Sequence, residues 1–281
     1  MVKRERTYAE TIRLAINDIA AHGYDSAERV KFWSEQIRQA AKRSMKSDAE
    51  VDRMVREALA AIYKRQVDEG AALRLNPGVQ AYTIERIKPE LRAELDRRIA
   101  ASADLIRLNR EQSVAKTIQR FQGWATSIPV GGSETVERAA EKQNLRKALS
   151  TLPYTERRCI IDQSNKLVAA INDTVATNGG AIGAFWQSHK YTPESRARPD
   201  HAARDGVFFL LKDSWAHRAG YVKLGGHQWT DEVVQPKAEI FCSCSWVWRF
   251  SLRSIPEECL TKKGKEALAE ARRKVAAMSR N

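Results

Sequence analysis

The chain has 281 residues, 43% of them hydrophobic, which is enough to bury a core and excludes the composition of a disordered protein. No apolar run approaches the roughly 20 residues that span a bilayer, and no apolar segment follows the basic N-terminus, so we expect no secretory signal and a cytosol-like compartment. The net charge of +13 is divided as +7 over residues 1–150 and +6 over residues 151–281, which fits either proximity to a polyanion or simple solubility.

The first half of the sequence predicts a succession of helices. Apolar residues at helical spacing indicate a first helix over residues 5–21, and Gly23 is positioned to end it. Capping boxes at residues 25–28 and 47–50, each with a glutamate three positions after the capping residue, begin a second and a third helix. The third helix is expected to end near Gly70.

A long helix and two shorter ones follow. We place Pro89 in the first turn of the long helix, where its missing N–H breaks no hydrogen bond, and expect this helix to continue to Trp124. Helical spacing also indicates helices at about residues 134–149 and 154–177.

The sequence changes character after residue 180. Short aromatic and β-branched runs bounded by glycine and proline, at residues 181–189, 207–211 and 238–250, are typical of strands. The last run alternates apolar residues, so it would place Cys242 and Cys244 on the same face of a strand.

These patterns predict an α+β fold, with a mainly α-helical N-terminal half followed by a small mixed α/β domain with a short sheet and a terminal basic helix. We divide the chain into a helical region at residues 1–150, an α+β domain at residues 151–255 and a basic tail at residues 256–281. The tail is either a solvated helix or an arm that contacts nucleic acid or a partner protein. Its candidate residues for proximity to nucleic acid are Lys262, Lys263, Lys265, Arg272, Arg273 and Lys274.

A histidine and an aspartate four residues apart form the first candidate site. Pro199 can begin a short helix, which would put His201 and Asp205 on one face, with Gly206 ending the turn. With Arg198 beside them, these side chains could act as a base and an anion clamp on a phosphodiester. The alternative is structural: Arg198 pairs with an acidic neighbour and His201 binds buried carbonyls. We favour the structural alternative and assign no catalytic residue.

Cysteines and histidines offer a second candidate site, for zinc, which takes four nitrogen or sulfur ligands in tetrahedral geometry. Its candidate ligands are His201, His217, His227, Cys242 and Cys244. Because Cys-x-Cys is a weaker signal than Cys-x-x-Cys, we favour buried thiols without a metal and predict no cofactor, with zinc as the alternative. The sequence contains no Walker A, Gly-x-Ser-x-Gly or His-Glu-x-x-His pattern.

The order of several motifs between about residues 155 and 250 is informative. In chain order they are Arg157-Arg158 with Asn165, Phe185-Trp186, Arg196-Ala197-Arg198-Pro199-Asp200-His201-Ala202-Ala203-Arg204-Asp205-Gly206, Pro236, and Cys242-Ser243-Cys244. This order resembles the C-terminal domain of the phage Mu F-like head morphogenesis proteins. The residues assigned to the shared structural motif are Trp186, Arg196, Arg198, Pro199, His201, Asp205, Gly206, Cys242 and Cys244.

Two departures from that family concern the ends of the motif. Glu194 stands where an aspartate often precedes the first arginine of the core, and Phe241 and Ser243 replace the asparagine and arginine of a common Asn-Cys-Arg-Cys ending. These differences bear on any shared catalytic role more than on the fold.

The resemblance implies a minor structural protein of a tailed-phage head that takes part in head morphogenesis and is not an enzyme. It would bind the portal protein, the major capsid protein or both, close to packaged DNA contacted without sequence specificity. A homo-oligomer following the portal symmetry is a further expectation, as is a location in the virion head, and in the host cytoplasm during assembly. Two alternatives stay open: a nuclease-like enzyme using Arg198, His201 and Asp205, and a non-specific DNA-binding protein.

Overall fold

In the computed structural model, which describes residues 5–188 and 198–278, the protein is 68% helical and carries a small four-stranded mixed sheet in its C-terminal half. This architecture confirms the predicted α+β class. Arg196 and Glu194, both named in the motif analysis, lie outside the described residues. Among the helices of the described residues, none has the length and apolarity needed to cross a membrane.

The chain divides into two compact units. The first unit contains the described residues up to Glu57 together with Ile99–Ile161, and the second contains Ala58–Arg98 together with the described residues from Asp162 onward. Residues 58–98 therefore group with the sheet, although they precede it by about a hundred positions. The functional division into residues 1–150, 151–255 and 256–281 stays a prediction.

The described residues form a succession of helices joined by short connections, as the sequence predicts for the first half of the chain. They are α1 (Tyr8–His22), α2 (Ala27–Ser44), α3 (Asp48–Tyr63), α4 (Ala71–Leu75), α5 (Ala81–Ser127), α6 (Arg138–Ser150), α7 (Leu152–Asn178), α8 (Pro199–Ala203), α9 (Trp215–Arg218) and α10 (Lys262–Met278). A π-helical segment, Lys64–Asp68, continues α3, and 3-10 turns lie at Thr230–Glu232, Leu252–Ser254 and Glu257–Cys259.

Helix α1 begins and ends for local reasons. Thr7 accepts a hydrogen bond from the backbone of Glu10, whose carboxylate accepts one from the backbone N–H of Thr7, and this capping box begins the helix. Gly23, with φ of +72°, donates its N–H to the carbonyl of Ile19 and ends it. The helical backbone that continues α3 ends at Asp68, where Glu69 donates its N–H to the carbonyl of Lys64, and Gly70, with φ of +71°, follows. Both predictions are confirmed.

The caps of α2 and α3 confirm one prediction and correct another. Ser47 and Glu50 form the predicted capping box of α3. The cap of α2 is Ser26, whose hydroxyl accepts from the backbone N–H of Arg29, rather than Asp25. Asp25, which precedes the cap residue, instead accepts two hydrogen bonds from the guanidinium of Arg29 in the first turn of the helix.

The prediction that Pro89 lies in the first turn of the long helix is wrong. Helix α5 begins at Ala81, so Pro89 is inside it. Ile84 and Ile87, which precede the proline, are 4% and 5% exposed. Burying these side chains offsets the lost backbone hydrogen bond, which costs about 3 kcal/mol in a helix interior.

The described residues of the first unit include a large apolar cluster. Successive turns of α1, α2 and α5 contribute to it together with Leu145 of α6, because an amphipathic helix turns its apolar stripe inward. The core residues are Ile12, Ala15, Ile16, Ile19, Val30, Trp33, Ile37, Ala41, Val114, Ile118, Phe121, Ala125, Ile128 and Leu145.

The sheet of the second unit contains strands β1 (Gly183–Gln187), β2 (Phe208–Leu210), β3 (Gln228–Trp229) and β4 (Ser245–Arg249). Its order is β3-β2-β1-β4, with β1 antiparallel to both neighbours and β3 parallel to β2. Side chains alternate between two buried faces. One face packs Ala184, Trp186, Phe209, Trp246 and Trp248 with Cys242 and Cys244. The other packs Ile182, Phe208, Leu210, Val222, Ile255, Cys259 and Leu260.

The predicted strand over residues 238–250 is only half correct. Strand β4 begins at Ser245, so Cys242 and Cys244 lie in the preceding loop and not on a strand. Phe241, with φ of +59°, takes the backbone out of the extended region just before the first cysteine. The alternating pattern nevertheless predicted correctly that both cysteines lie on the same side of the sheet, because both thiols belong to the core that contains Trp246.

Candidate metal centre

The short helix α8 and the loop before β4 bring His201, Cys242 and Cys244 together. Pro199 is the first residue of α8, as predicted, and places His201 on the buried side of that helix, where it is 3% exposed. Nδ1 of His201 lies 3.5 Å from the Sγ atom of Cys242 and 3.5 Å from that of Cys244. The possible ligand atoms of the three residues all lie within 4.8 Å of one another.

The two nitrogen–sulfur distances fit a tetrahedral zinc ion. Bonds of about 2.3 Å to sulfur and about 2.1 Å to nitrogen, at a tetrahedral angle, separate the two ligand atoms by about 3.6 Å. The observed nitrogen–sulfur separations of 3.5 Å match that value. The donor set of one imidazole and two thiols is also the set that zinc prefers. The described residues thus supply three ligands that could hold a metal ion.

The second nitrogen of His201 faces acidic side chains. Nε2 lies 3.3 Å from Glu239 and 3.7 Å from Asp200, although no described group is aligned with it as a hydrogen-bond partner. Arg198 forms an ion pair with Glu239 and donates to the carbonyl of Ile240 over 3.0 Å. A carboxylate bonded to the second nitrogen of a metal-binding histidine fixes the ring, and Glu239 is the described carboxylate nearest to Nε2, although it is not aligned for that bond.

Trp186 on β1 forms a wall of the centre. Its ring packs edge to face against the imidazole of His201, with 5.4 Å between the ring centroids. It packs in the same way against the indole of Trp246, with 5.2 Å between the centroids. The guanidinium of Arg204 lies over the ring of Trp186, 5.2 Å from the ring centroid. Aromatic side chains therefore separate the two thiols and the imidazole from water.

Asp205 does not share a helix face with His201, contrary to the prediction from their spacing. Helix α8 ends at Ala203, before it could place the two side chains on one face. Asp205 accepts from the backbone N–H of Ser188 over 2.7 Å. Gly206, with φ of +75°, turns the chain and donates its N–H to the carbonyl of Trp186. The Asp-Gly pair thus ties the end of β1 to the segment that leads into β2.

The loop that carries the cysteines is held by backbone hydrogen bonds. The N–H of Lys237 donates to Sγ of Cys242 over 3.3 Å, which joins the two ends of the loop. The N–H of Phe241 donates to Asp162 on α7, which is paired with Lys166 over 2.8 Å. Lys237 and Phe241 have positive φ, so these contacts maintain a strained backbone conformation.

A buried carboxyl group lies beside this loop. Burial raises the pKa of Asp173 to about 7, while the hydrogen bond from Trp248 and the charge of Lys237 act in the opposite direction. Burial also lowers the pKa of Lys237, with Asp173 opposing that effect. The two groups form a coupled pair at the edge of the cysteine-containing core.

The other predicted zinc ligands lie elsewhere in the second unit. His217 bonds the carbonyl of Lys212 through Nδ1 and packs against Trp229. His227 bonds the carbonyl of Phe208 through Nδ1 and faces Glu258 through Nε2. Both histidines therefore satisfy local groups and do not join the His201 cluster.

The remaining cysteines also have structural surroundings. Cys259 packs on the opposite face of the sheet, where burial raises the pKa of its thiol to about 11. Cys159 is buried on α7.

The predicted basic residues of the tail lie on α10 and differ in their surroundings. Lys263 donates to the carbonyl of Ala219 and lies over the ring of Tyr221. Lys265 and Lys274 form ion pairs with glutamates. Lys262, Arg272 and Arg273 are exposed.

Of the other motif residues, Arg157 and Arg158 belong to the first unit, and Arg158 stacks over Tyr154. Asn165 is half-buried on α7, and Pro236 is buried before the cysteine loop.

Sequence reasoning missed Glu239, which lies near Nε2 of His201, and Asp162, which accepts a hydrogen bond from the cysteine loop. A charged residue inside the apolar run of residues 238–250 was the only sequence signal for Glu239, and Asp162 had none.

No protein-family model, curated protein sequence or solved structure matches this chain. The resemblance to the Mu F-like family therefore remains a prediction from the ordered motifs.

Proposed function

We propose that this protein is a minor structural protein of a tailed-phage head, bound to the portal or the inner capsid near packaged DNA. One observation carries the proposal: four motif residues separated by long stretches of chain, Trp186, His201, Cys242 and Cys244, meet at one buried centre. Their meeting at one centre supports the interpretation of these separated segments as a single motif. The helices of residues 1–150 would then provide most contacts with other subunits.

Within that proposal, the centre is a structural zinc site held by His201, Cys242 and Cys244. The support is the donor set, the match of the nitrogen–sulfur distances to tetrahedral zinc, and the carboxylate of Glu239 behind the imidazole. A metal ion here would cross-link α8 to the loop before β4. The three ligands are 3%, 7% and 3% exposed, which favours a structural role over a catalytic one, although the described residues supply no fourth ligand of the kind that structural zinc sites have.

The geometry gives less support to the nuclease alternative. Arg198 is engaged by Glu239 and Ile240, His201 faces two thiols, and Asp205 binds the backbone of Ser188. The three side chains therefore have separate partners and do not converge on one substrate position. Hydrolysis of DNA by the purified protein with Mg²⁺, Mn²⁺ or Zn²⁺, lost in His201→Ala without unfolding, would reverse this preference.

The head-protein proposal is tested in the particle. We expect the protein to co-purify with portal complexes or procapsids, and deletion of its coding sequence to abolish infectious particles. Absence of the protein from purified virions and proheads alike would refute the proposal, whatever its metal content.

The zinc site is tested by metal analysis of protein purified without chelator. We expect about one zinc ion per chain, retained in Cys259→Ser and lost in Cys242→Ser and Cys244→Ser. Cys259 is the matched control because it is buried in the same unit but on the other face of the sheet. Metal-free wild-type protein, or equal loss in the Cys259 variant, would rule out the site.

A further inference from the structure

The terminal helix α10 carries an apolar stripe that is buried at the start of the helix and exposed toward its end. The stripe repeats at alternating spacings of four and three residues, and its members are Gly264, Leu268, Ala271, Val275 and Met278. Gly264 is buried, and a Cβ atom there would lie 2.1 Å from the carbonyl oxygen of Tyr221, so this end of the helix is packed closely. Toward the other end, Val275 is 63% exposed and Met278 is 79% exposed.

The stripe continues into a groove between α10 and the segment before it. The cavity has a volume of about 310 Å³. Its apolar lining residues are Leu252, Ile255, Leu260, Leu268 and Ala269. A groove of this size accepts a protruding apolar side chain, whereas a smooth surface such as a duplex or a bilayer would leave it unfilled.

The charge around the stripe is predominantly positive. Arg253, Lys265 and Arg272 line the groove, against the single acidic residue Glu257, which pairs with Lys265. On a helix with 3.6 residues per turn, Lys265 and Arg272 flank one side of the stripe and Lys274 flanks the other.

The opposite face of α10 has a different composition. The same helical geometry places Glu266 and Arg273 there, away from the stripe, whereas Glu270 lies beside Lys274 and forms an ion pair with it. The positive charge is thus concentrated next to the apolar residues, and Arg273 provides a cation of the same type that is remote from them.

We propose that this surface, formed by the α10 stripe and the adjoining groove, docks an amphipathic helix of another protein whose apolar face is flanked by acidic residues. The apolar stripe and groove would bury that face, and the flanking cations would pair with the acidic residues. A second copy of α10 is a poorer occupant because two basic flanks would repel each other. The inference goes beyond the head-protein proposal and does not depend on it.

The test uses the full chain and a fluorescent synthetic helical peptide of about 20 residues, with leucines at the stripe positions and glutamates beside them. We expect Arg272→Glu, and separately Val275→Ser with Met278→Ser, to weaken binding about tenfold, while the matched control Arg273→Glu changes it less than about twofold. A peptide with lysines in place of the glutamates should bind about tenfold more weakly. Circular dichroism checks that each variant keeps its helical content.

Several results would overturn the proposal. One is no binding of the acidic peptide, and another is equal weakening by Arg272→Glu and Arg273→Glu, which indicates general electrostatic attraction. Binding of duplex DNA or anionic vesicles that is stronger than peptide binding and unaffected by the serine substitutions would assign the surface to those partners. Concentration-dependent self-association that the serine substitutions abolish would assign it to a second copy of the chain.

Discussion

His201 illustrates how a single buried side chain can connect two parts of a site. One ring nitrogen faces the thiols of Cys242 and Cys244, and the other faces Glu239. Arg198 in turn pairs with Glu239, so the charge of that carboxylate is balanced on its other side. A carboxylate bonded to one imidazole nitrogen leaves the other nitrogen free to bind a metal ion.

The role of Glu239 leads to a prediction about metal affinity. We expect Glu239→Gln to weaken zinc binding about tenfold or more, because loss of a carboxylate behind a histidine ligand typically costs that much. The measurement is competition with a chromophoric chelator. Asp200→Asn is the control, since Asp200 lies further from the ring and is 55% exposed. Equal effects of the two substitutions would contradict a specific positioning role for Glu239.

The raised pKa of Asp173 predicts a pH dependence of stability. Its carboxyl group favours the neutral form in the folded chain, so its contribution is complete below pH about 4 and is lost as pH rises through about 7. Asp173→Asn keeps an acceptor for Trp248 and does not titrate. The stability of this variant relative to the wild type should therefore rise between pH 4 and pH 7, by about 1.4 kcal/mol for each unit of the pKa shift.

Urea denaturation of both proteins over that pH range measures the difference. Subtracting the two curves removes the titration of all groups that the substitution leaves unchanged, except for the neighbouring Lys237. A difference that stays constant with pH would show that Asp173 is ionised in the folded state throughout.

At the level of secondary structure, helix ends follow local side-chain chemistry, whereas helix interiors also respond to packing. Thr7, Ser26 and Ser47 each cap a helix through a hydroxyl oxygen. Pro89 lies inside α5 against its local preference, because apolar residues on both sides of it are buried. The cysteine loop shows the same effect, since Phe241, which has positive φ, donates its N–H to Asp162, and Lys237, which also has positive φ, donates its N–H to Cys242.

The corrected cap of α2 can be checked directly. Ser26→Ala should lower the free energy of unfolding by about 1 kcal/mol, the usual contribution of a serine cap. Asp25→Ala should have a smaller effect, because its ion pair with Arg29 lies at the surface. Chemical denaturation of the two single variants distinguishes the caps, and a larger loss in the Asp25 variant would restore the original assignment.

For the molecule as a whole, a zinc ion at the buried centre would link metal binding to folding. At zinc concentrations about a thousandfold above the dissociation constant, this linkage contributes about 4 kcal/mol. We therefore expect a strong chelator to lower Tm by about 10 °C. Cys242→Ser should melt at a lower temperature and respond little to the chelator. Calorimetry that shows the same Tm with and without chelator would refute a structural metal.

The net charge of +13 predicts non-specific contact with DNA. Binding to duplex DNA of arbitrary sequence should weaken steeply as salt rises, because each neutralised phosphate releases counterions. Fluorescence anisotropy at several salt concentrations gives the slope. A flat response would mean that the positive charge serves solubility alone.

The sequence by itself determined the α+β class, most helix positions and the chemical character of the motif. It could do so because apolar spacing, capping residues and turn glycines act over a few neighbouring positions, as Gly23 and Ser47 do. It also singled out Pro199, His201, Cys242 and Cys244, because their residue types carry recognisable chemistry.

Only the tertiary structure decided which of those residues meet. His201 joins the two cysteines, whereas His217 and His227 do not, and Asp205 binds Ser188 instead of His201. The physical reason is that contacts between residues some forty positions apart depend on how the sheet and its loops pack, and no local pattern encodes that packing.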